Sequence, residues 1–147
     1  MQYQHSFTVQ VPLDKVADFH RVSASMAMIT LPPILVRIHQ APEILQEGDE
    51  MRFTLWLGPL PLRWLAKIEN LSKHGFTDRQ IEGPFQRWEH QHRFQANHAD
   101  STTIIDRVQV EPKKHWFWGL VGRLMVWGLP ALFAFRGWKT RQILAAR

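Results

Sequence analysis

The most constraining feature of the sequence is a long stretch, from residue 34 to residue 111, in which apolar and polar side chains alternate. Alternation with a period of two places the apolar side chains of a β-strand on one face of a sheet. Two turn-forming pairs, Gly58-Pro59 and Gly83-Pro84, help to divide this stretch into segments of strand length. Consecutive antiparallel strands bury only one face, so another part of the chain must cover that face.

A further strand is predicted at the N-terminus, because Phe7, Val9 and Val11 alternate with polar residues. Pro12 then opens a predicted helix of about three turns. A second short helix is predicted over residues 23–30, and Pro32-Pro33 ends it, since neither proline donates a backbone hydrogen bond. The remaining strands are predicted at residues 34–39, 50–57, 62–69, 75–82, 85–95 and 102–111.

The C-terminal segment, residues 116–146, lacks alternation and predicts one long helix that covers the sheet. Pro130 should bend or interrupt this helix. The element order predicts an α+β fold, in which a curved sheet of about seven strands wraps around the C-terminal helix. With 147 residues, the chain is expected to form a single domain over 1–147. The helix residues expected against the strands are Leu120, Leu124, Trp127, Leu132 and Phe135.

The same segment is long enough to cross a bilayer, because residues 116–135 contain only one charge, Arg123. Three glycines and Pro130 weaken that interpretation, and a membrane span would leave the strands without a cover. A core helix is therefore favoured over a membrane anchor. A peripheral membrane contact, made by the tryptophans and basic residues of this segment, is the membrane role that fits better.

Charge and composition restrict the partners. Seven of the 18 Lys and Arg residues, but none of the 13 acidic ones, lie in residues 113–147. This basic segment could contact phosphates, lipid headgroups or an acidic partner. Nucleic-acid binding is disfavoured, because the sequence has no P-loop, dinucleotide glycine pattern, zinc finger or RNP-like motif. The N-terminus lacks signal-peptide features, so a cytoplasmic location is expected. The chain has no cysteine, which excludes disulfides, thiolate metal sites and a cysteine nucleophile.

A histidine-aspartate pair is the main candidate for a functional site. Alternation puts Trp88, His90, His92 and Phe94 on one face of their strand, and Asp106 and Val108 on one face of the next. If the hairpin centres near residue 99, His92 lies opposite Asp106 and close enough for a hydrogen bond. The favoured interpretation is a buried pair that holds the register. The alternatives are a pair that orients a ligand, or a general base for aldol-type cyclisation or dehydration.

Other polar residues have simpler interpretations. Asp78 and Gln80 are expected to be exposed on an edge strand; the alternative is that their face, which Phe76 shares, is internal and that they extend the polar lining. Arg136 is expected to pair with an acid on the sheet rather than with a ligand carboxylate. The His-x-His spacing is known in metal sites, and Asp106 or Asp78 could complete one. The sequence offers no denser set of ligands, so no metal and no other cofactor is expected.

A family resemblance joins these observations. Beside the element order, four motifs carry it: Gly83-Pro84-Phe85, the run Trp88-Glu89-His90-Gln91-His92-Arg93-Phe94, Asp106-Arg107-Val108 at the end of the strand from Thr103, and Leu132-Phe133 with Arg136. In this order and with these motifs, the sequence resembles the SRPBCC superfamily of START-like and Bet v 1-like helix-grip proteins, especially the small bacterial branch called polyketide cyclase/dehydrase or coenzyme Q-binding-like. The resemblance covers nearly the whole chain.

The resemblance implies an apolar cavity between the sheet and the C-terminal helix, in a superfamily that includes lipid carriers, cyclases and proteins without known activity. We therefore expect binding of a lipid, quinone or polyketide-like molecule without catalysis. The alternative is a cyclase or dehydratase that uses His92 and Asp106. Four bulky tryptophans in the C-terminal segment leave open whether the cavity is filled. The expected ligand-binding residues are Phe53, Leu55, Trp64, Trp88, His90, His92, Phe94, Asp106, Val108, Trp127 and Phe135.

Overall fold

A computed structural model describes all 147 residues of the chain. It contains seven strands and three helices in the order that the sequence predicts. The elements are β1 (Gln2–Val9), α1 (Leu13–Arg21), α2 (Ser25–Met28), β2 (Leu35–Gln40), β3 (Glu50–Leu57), β4 (Leu60–Ser72), β5 (Gly75–Glu82), β6 (Phe85–His98), β7 (Ser101–Pro112) and α3 (Trp116–Ala145).

The strands form one antiparallel sheet in the order β1-β7-β6-β5-β4-β3-β2. Strands β2 to β7 follow one another as neighbours, whereas β1 pairs with the last strand, β7. The edges of the sheet are therefore β1 and β2, and β5 is its central strand. The predicted α+β helix-grip architecture, with short helices after the first strand, is confirmed.

The two short helices fill the connection between β1 and β2. The first, α1, begins directly after Pro12 and buries Val16 and Phe19 among the side chains next to β6 and β7. The hydroxyl of Thr102 donates a hydrogen bond of 2.9 Å to the carbonyl oxygen of Val11, which ties the end of β1 to β7. The second helix, α2, is a single turn and is shorter than the predicted one.

The long helix α3 continues through Pro130 without a break, so the expected interruption does not occur. At its start, Nδ1 of His115 accepts hydrogen bonds of 3.2 and 3.4 Å from the backbone N–H groups of Phe117 and Trp118. These bonds satisfy two of the first-turn donors that have no partner within a helix. Along its length, α3 packs against β1, β6 and β7.

The prediction of which α3 residues face the sheet was wrong for three of five. Leu120, Leu124 and Trp127 are 53%, 59% and 83% exposed. Leu132 and Phe135 are half-buried. The segment is apolar around most of its circumference, so residue type alone did not show which stripe faces inward. The positions that α3 buries are Gly119, Val121, Gly122, Leu129, Phe133, Gly137, Thr140 and Leu144.

Three of these positions are glycines, and two of them, Gly122 and Gly137, let α3 approach the sheet closely. A Cβ atom at Gly122 would lie 3.2 Å from the ring of Phe85, and one at Gly137 would lie 3.3 Å from the ring of Phe7. Larger residues would push the helix away from the strands. Between the two glycines, Leu129 and Phe133 are each only 2% exposed and fill the space above the sheet.

Candidate functional site: an apolar cavity with a polar cluster

A cavity of about 480 Å³ lies between the sheet and α3. Its walls come from β2 to β6, from α2 and from the middle of α3, and 24 of its 33 lining residues are hydrophobic. Small-molecule sites typically have volumes of about 300–1,000 Å³ and mostly apolar walls with a few polar groups. The cavity therefore has the size and the character of a site for an apolar organic molecule.

Aromatic side chains form one wall of the cavity. Phe53 stacks on Trp64 with their ring centroids 5.7 Å apart, and Trp64 meets Trp88 edge-on at 5.4 Å. The indole N–H of Trp64 is buried and has no hydrogen-bond partner. A buried donor without a partner costs about 1–3 kcal/mol.

The mouth of the cavity lies beside the middle of α3. Leu124 lines the cavity although it is 59% exposed, which places it at the rim. Ile34, before β2, and Leu57 and Leu60, at the β3–β4 turn, are half-buried lining residues. These residues make the rim apolar as well.

The tryptophans of α3 do not fill the cavity. Trp116, Trp127 and Trp138 are 79%, 83% and 52% exposed, so they point away from the interior. Trp118 is half-buried but does not line the cavity, so none of the four tryptophans fills it.

The eleven residues predicted to bind a ligand fall into three groups. Phe94, Asp106 and Val108 are buried but do not line the cavity. Trp127 and Phe135 do not line it either, contrary to the prediction, because neither is among the buried positions of α3. Phe135 packs against Trp138. The residues that do line the cavity are Phe53, Leu55, Trp64, Trp88, His90 and His92.

Two histidines and two aspartates on three adjacent strands form a polar cluster: Asp78 on β5, His90 and His92 on β6, and Asp106 on β7. The predicted register is confirmed, because His92 lies opposite Asp106. The hydrogen bonds, however, differ from the expected one. Nε2 of His90 donates to Oδ1 of Asp106 at 2.8 Å, and Nε2 of His92 donates to Oδ2 of Asp78 at 2.5 Å. Nδ1 of His92 stays 3.6 Å from Asp106.

Aromatic contacts hold the two imidazole rings in these orientations. The rings of His90 and His92 stack with their centroids 3.8 Å apart, and Phe76 stacks on the other side of His92 at 4.3 Å. Phe133 of α3 meets the ring of His90 edge-on at 5.4 Å. Packing against neighbouring rings therefore orients the histidines of the cluster, in addition to their hydrogen bonds.

A third histidine, His20 of α1, joins this site and was missed as a functional residue. Its Nδ1 donates a hydrogen bond of 2.8 Å to the carbonyl oxygen of Val16, and its ring lies 6.3 Å from that of His92. His20 also lines the cavity. The available sequence information was its helical spacing from Val16, which puts both residues on the inward face of α1.

The charge states of the cluster follow from burial. Burial lowers the pKa of His92 to about 4 and the pKa of His20 to about 3. Burial alone would raise the pKa of Asp106, but the hydrogen bond that it accepts and the positive charges nearby hold that pKa well below its usual value. The pKa of Asp78 is lowered for the same reasons. At neutral pH, His20 and His92 are therefore neutral and both aspartates are ionised.

Arg136 of α3 lines the cavity near the polar cluster. The expected ion pair with an acid of the sheet is not formed, since no carboxylate lies within ion-pairing distance of Arg136. Its guanidinium instead lies 5.8 Å above the ring centroid of Phe133. The positive charge acts at longer range on Asp78 and Asp106, whose pKa values it lowers. Its donors remain available to a ligand.

The prediction that Asp78 and Gln80 are exposed on an edge strand was wrong, because β5 is the central strand. The side chain of Asp78 is 23% exposed and lines the cavity. Gln80 has a structural role: its Nε2 donates to the carbonyl oxygen of Phe85 at 2.8 Å, and its Oε1 accepts from the N–H of the same residue at 3.1 Å. Gln80 therefore closes the turn between β5 and β6.

Asp78, His90 and His92 are also the residues that could hold a metal ion, since one ligand atom from each lies within 4.8 Å of the others. Nε2 of His92 and Oδ2 of Asp78 are already hydrogen-bonded to each other. The same groups can instead donate and accept hydrogen bonds at the wall of an otherwise apolar space, which suits a ligand with one polar end.

Known structures with the same architecture were found by comparison of the fold. A protein from Thermus thermophilus matches with a TM-score of 0.75 and 15% identity, over 99% of this chain and 98% of that one. The Zhui aromatase/cyclase from a Streptomyces species matches with a TM-score of 0.69 and 16% identity, over 98% and 90%. Norcoclaurine synthase from Thalictrum flavum, in complex with dopamine and hydroxybenzaldehyde, matches with a TM-score of 0.67 and 15% identity, over 100% and 88%.

No family model matches the sequence, and no curated protein is similar to it in sequence. The structural matches also include a START superfamily protein from Mycobacterium smegmatis and the protein Ara h 8.0201. The chain thus has the START/Bet v 1-like (SRPBCC) fold, as the resemblance implied. Fold similarity at these identities does not transfer a ligand or a reaction, because one fold hosts many functions.

Proposed function

We propose that this protein binds a hydrophobic small molecule in the cavity between the sheet and α3. The observation that carries the proposal is the cavity itself: about 480 Å³ of space with 24 hydrophobic residues among the 33 that line it. An apolar molecule that leaves water for this space gains roughly 25 cal/mol for each Å² of apolar surface that it buries.

The polar groups of the wall indicate how such a molecule would lie. The guanidinium N–H groups of Arg136 lie at the wall of the cavity and form no ion pair within the protein. The carboxylate of Asp78 faces the same space. A ligand with an apolar body and one oxygen-bearing end, such as a fatty acid, a quinone or a polyketide-like phenol, would satisfy these donors.

The experiment that tests the proposal is native mass spectrometry of the purified protein, followed by extraction and identification of the bound molecules. We expect a lipophilic molecule with at least one oxygen acceptor, bound one to one. The Arg136→Gln variant should retain less of it. Arg93→Gln is a matched control, because Arg93 is an exposed arginine outside the cavity. A protein that carries no molecule and binds no lipophilic probe would contradict the proposal.

A second candidate function is an aldol-type cyclisation or a dehydration. The specific observation in its favour is the hydrogen-bonded pair of His92 and Asp78, both of which line the cavity. This pair takes the place of the His92–Asp106 pair that was predicted from the sequence as the catalytic alternative, because Asp106 does not line the cavity. A neutral imidazole backed by a carboxylate can act as a general base.

The enzyme candidate is tested by turnover of a poly-β-ketone substrate. Asp78→Asn should abolish the turnover while the variant still binds the substrate. Asp106→Asn should lower stability more than it lowers the turnover of the folded fraction. If the unmodified protein converts no such substrate, the ligand-binding proposal stands alone.

A further inference from the structure

The surface of α3 that faces away from the sheet is an apolar stripe. Its large side chains are widely exposed: Trp116 by 79%, Leu120 by 53%, Leu124 by 59%, Trp127 by 83% and Trp138 by 52%. Ala131 and Ala134 are exposed between them. We define the apolar stripe as these seven residues, which follow one another at intervals of three or four and therefore lie on one side of the helix.

The stripe is unusual for a protein surface in contact with water. At a rise of 1.5 Å per residue, it extends over about 33 Å. Folded monomers rarely expose contiguous apolar patches of this kind unless the patch meets a partner or a membrane. In the most apolar 18 residues of α3, only 28% of the residues are buried, so the rest of the protein covers a minor part of the helix surface.

Charge indicates what the stripe meets. Residues 113–147 contain seven Lys and Arg and no acidic residue, and the last acid of the chain is Glu111. Lys114 lies just before the stripe and Arg123 lies within its length, and both are exposed. Tryptophans between basic residues are typical of segments that lie at the surface of an anionic bilayer, where indole rings sit at headgroup level.

A second copy of the chain fits this surface less well. Pairing the stripe with itself would bring together two segments that carry seven basic residues each and no acid between them, and like charges oppose such an interface. A membrane span does not fit either, because Leu129, Phe133 and Leu144 of the same helix are 2–3% exposed and hold it against the sheet. We propose that the apolar stripe of α3 docks the protein on the surface of an anionic lipid bilayer.

The apolar stripe borders the mouth of the cavity, which matters for ligand exchange if the cavity binds a ligand as proposed. Leu124 belongs to the apolar stripe and also lines the cavity. Docking through the stripe would therefore bring the mouth close to the lipid surface. A hydrophobic ligand could then exchange between the bilayer and the cavity with a shorter path through water.

The test is flotation of the full chain with vesicles of phosphatidylcholine alone and with vesicles of equal parts phosphatidylcholine and phosphatidylserine. We expect binding to the anionic vesicles that weakens as salt is added. The Trp116→Gln/Trp127→Gln double variant should bind at least about tenfold more weakly, because it removes two large apolar contacts. It should fold normally, since both side chains are mostly exposed.

Two further variants separate the contribution of the apolar stripe to vesicle binding from that of the basic residues. Trp56→Gln is the matched control, because Trp56 is 37% exposed on β3 and lies outside the stripe; its vesicle binding should not change. The Lys113→Gln/Lys114→Gln/Arg123→Gln triple variant should lose the preference for phosphatidylserine. Equal vesicle binding by the unmodified protein and the Trp116→Gln/Trp127→Gln variant would overturn the proposal.

The absence of vesicle binding by the unmodified protein would also overturn it. A concentration-dependent dimer that Trp127→Gln dissociates would assign the stripe to a second copy instead. The flotation assay uses no cavity ligand. Its failure would therefore leave the proposed ligand binding intact, and a failure to find a cavity ligand would leave the docking surface intact.

Discussion

Asp106 accepts a hydrogen bond of 2.8 Å from His90, although the residue directly opposite it in the sheet is His92. This diagonal bond leaves Nε2 of His92 to donate to Asp78 on the other side. Three adjacent strands are thereby joined through two pairs. The two aspartates differ in exposure: the side chain of Asp106 is 2% exposed and that of Asp78 is 23% exposed. Asp106 therefore holds the site together, and Asp78 faces the cavity.

This difference predicts unequal costs for removing the two carboxylates. Asp106→Ala should lower the free energy of unfolding by about 1–3 kcal/mol, because it leaves the ring N–H of His90 buried without an acceptor. Asp78→Ala should cost less, since water in the cavity can replace its carboxylate. Urea unfolding of both variants measures the two costs. An equal or larger loss in Asp78→Ala would contradict the division of roles.

The depressed pKa values of the buried histidines predict a loss of stability in mild acid. In the unfolded chain a histidine binds its proton with a pKa of about 6.5, whereas folded His92 does so only at about 4. Between these two values the unfolded state holds more protons, so the free energy of unfolding falls as the pH falls from 6.5 to 4. His20 contributes in the same direction.

Urea unfolding curves across that pH range measure how steeply the free energy of unfolding changes with pH. His92→Gln should make this slope shallower, because one of the groups responsible is removed. His98→Gln, at an exposed hairpin position, should keep the slope of the unmodified protein. A slope in His92→Gln as steep as in the unmodified protein would exclude burial of a neutral His92 as its cause.

The inward face of α3 predicts contrasting effects for two large aromatic residues on the same helix. Phe133 is 2% exposed and touches the rings of Tyr3 and His90, so Phe133→Ala should cost about 3–5 kcal/mol. Trp127 is 83% exposed, and Trp127→Ala should change stability by no more than about 0.5 kcal/mol. Thermal or urea unfolding distinguishes them. A large loss in Trp127→Ala would mean that the sheet meets the other side of the helix.

The sheet was predictable because each strand buries one face only. Period-two alternation placed Trp88, His90 and His92 inward, and the polar turn near residue 99 placed His92 opposite Asp106. These are properties of the local backbone, which a sequence pattern records directly.

The hydrogen bonds of the polar cluster and the buried face of α3 depend on long-range contacts, which no local sequence pattern records. The hydrogen-bond partner of His92 is Asp78 on the central strand, and not Asp106 as predicted. The position of β5 in the sheet is a long-range property, so the sequence pattern could not show that Asp78 lies within reach of His92. The inward stripe of α3 was misassigned because Leu120 and Leu124 are as apolar as Leu129 and Phe133. The position of α3 is set partly by Gly122 and Gly137, whose small size matters only once the sheet is in place.

The central claim, that the cavity binds a hydrophobic molecule, can be tested by filling its wall. Gly128 lines the cavity, and a Cβ atom there would meet no other atom within 4 Å. A leucine at this position therefore has room for its Cβ atom, and it has a better helix propensity than glycine. Gln142→Leu is the matched control, since Gln142 is an exposed position of the same helix that does not line the cavity.

The measurement is a fluorescence titration of the unmodified protein and of both variants with anilinonaphthalene sulfonate, an aromatic anion suited to the apolar walls and to Arg136. We predict saturable one-to-one binding by the unmodified protein and by Gln142→Leu. Gly128→Leu should bind about tenfold more weakly or worse, with an undiminished melting temperature. Identical titration curves for all three proteins would show that the probe binds elsewhere, and would contradict the claim.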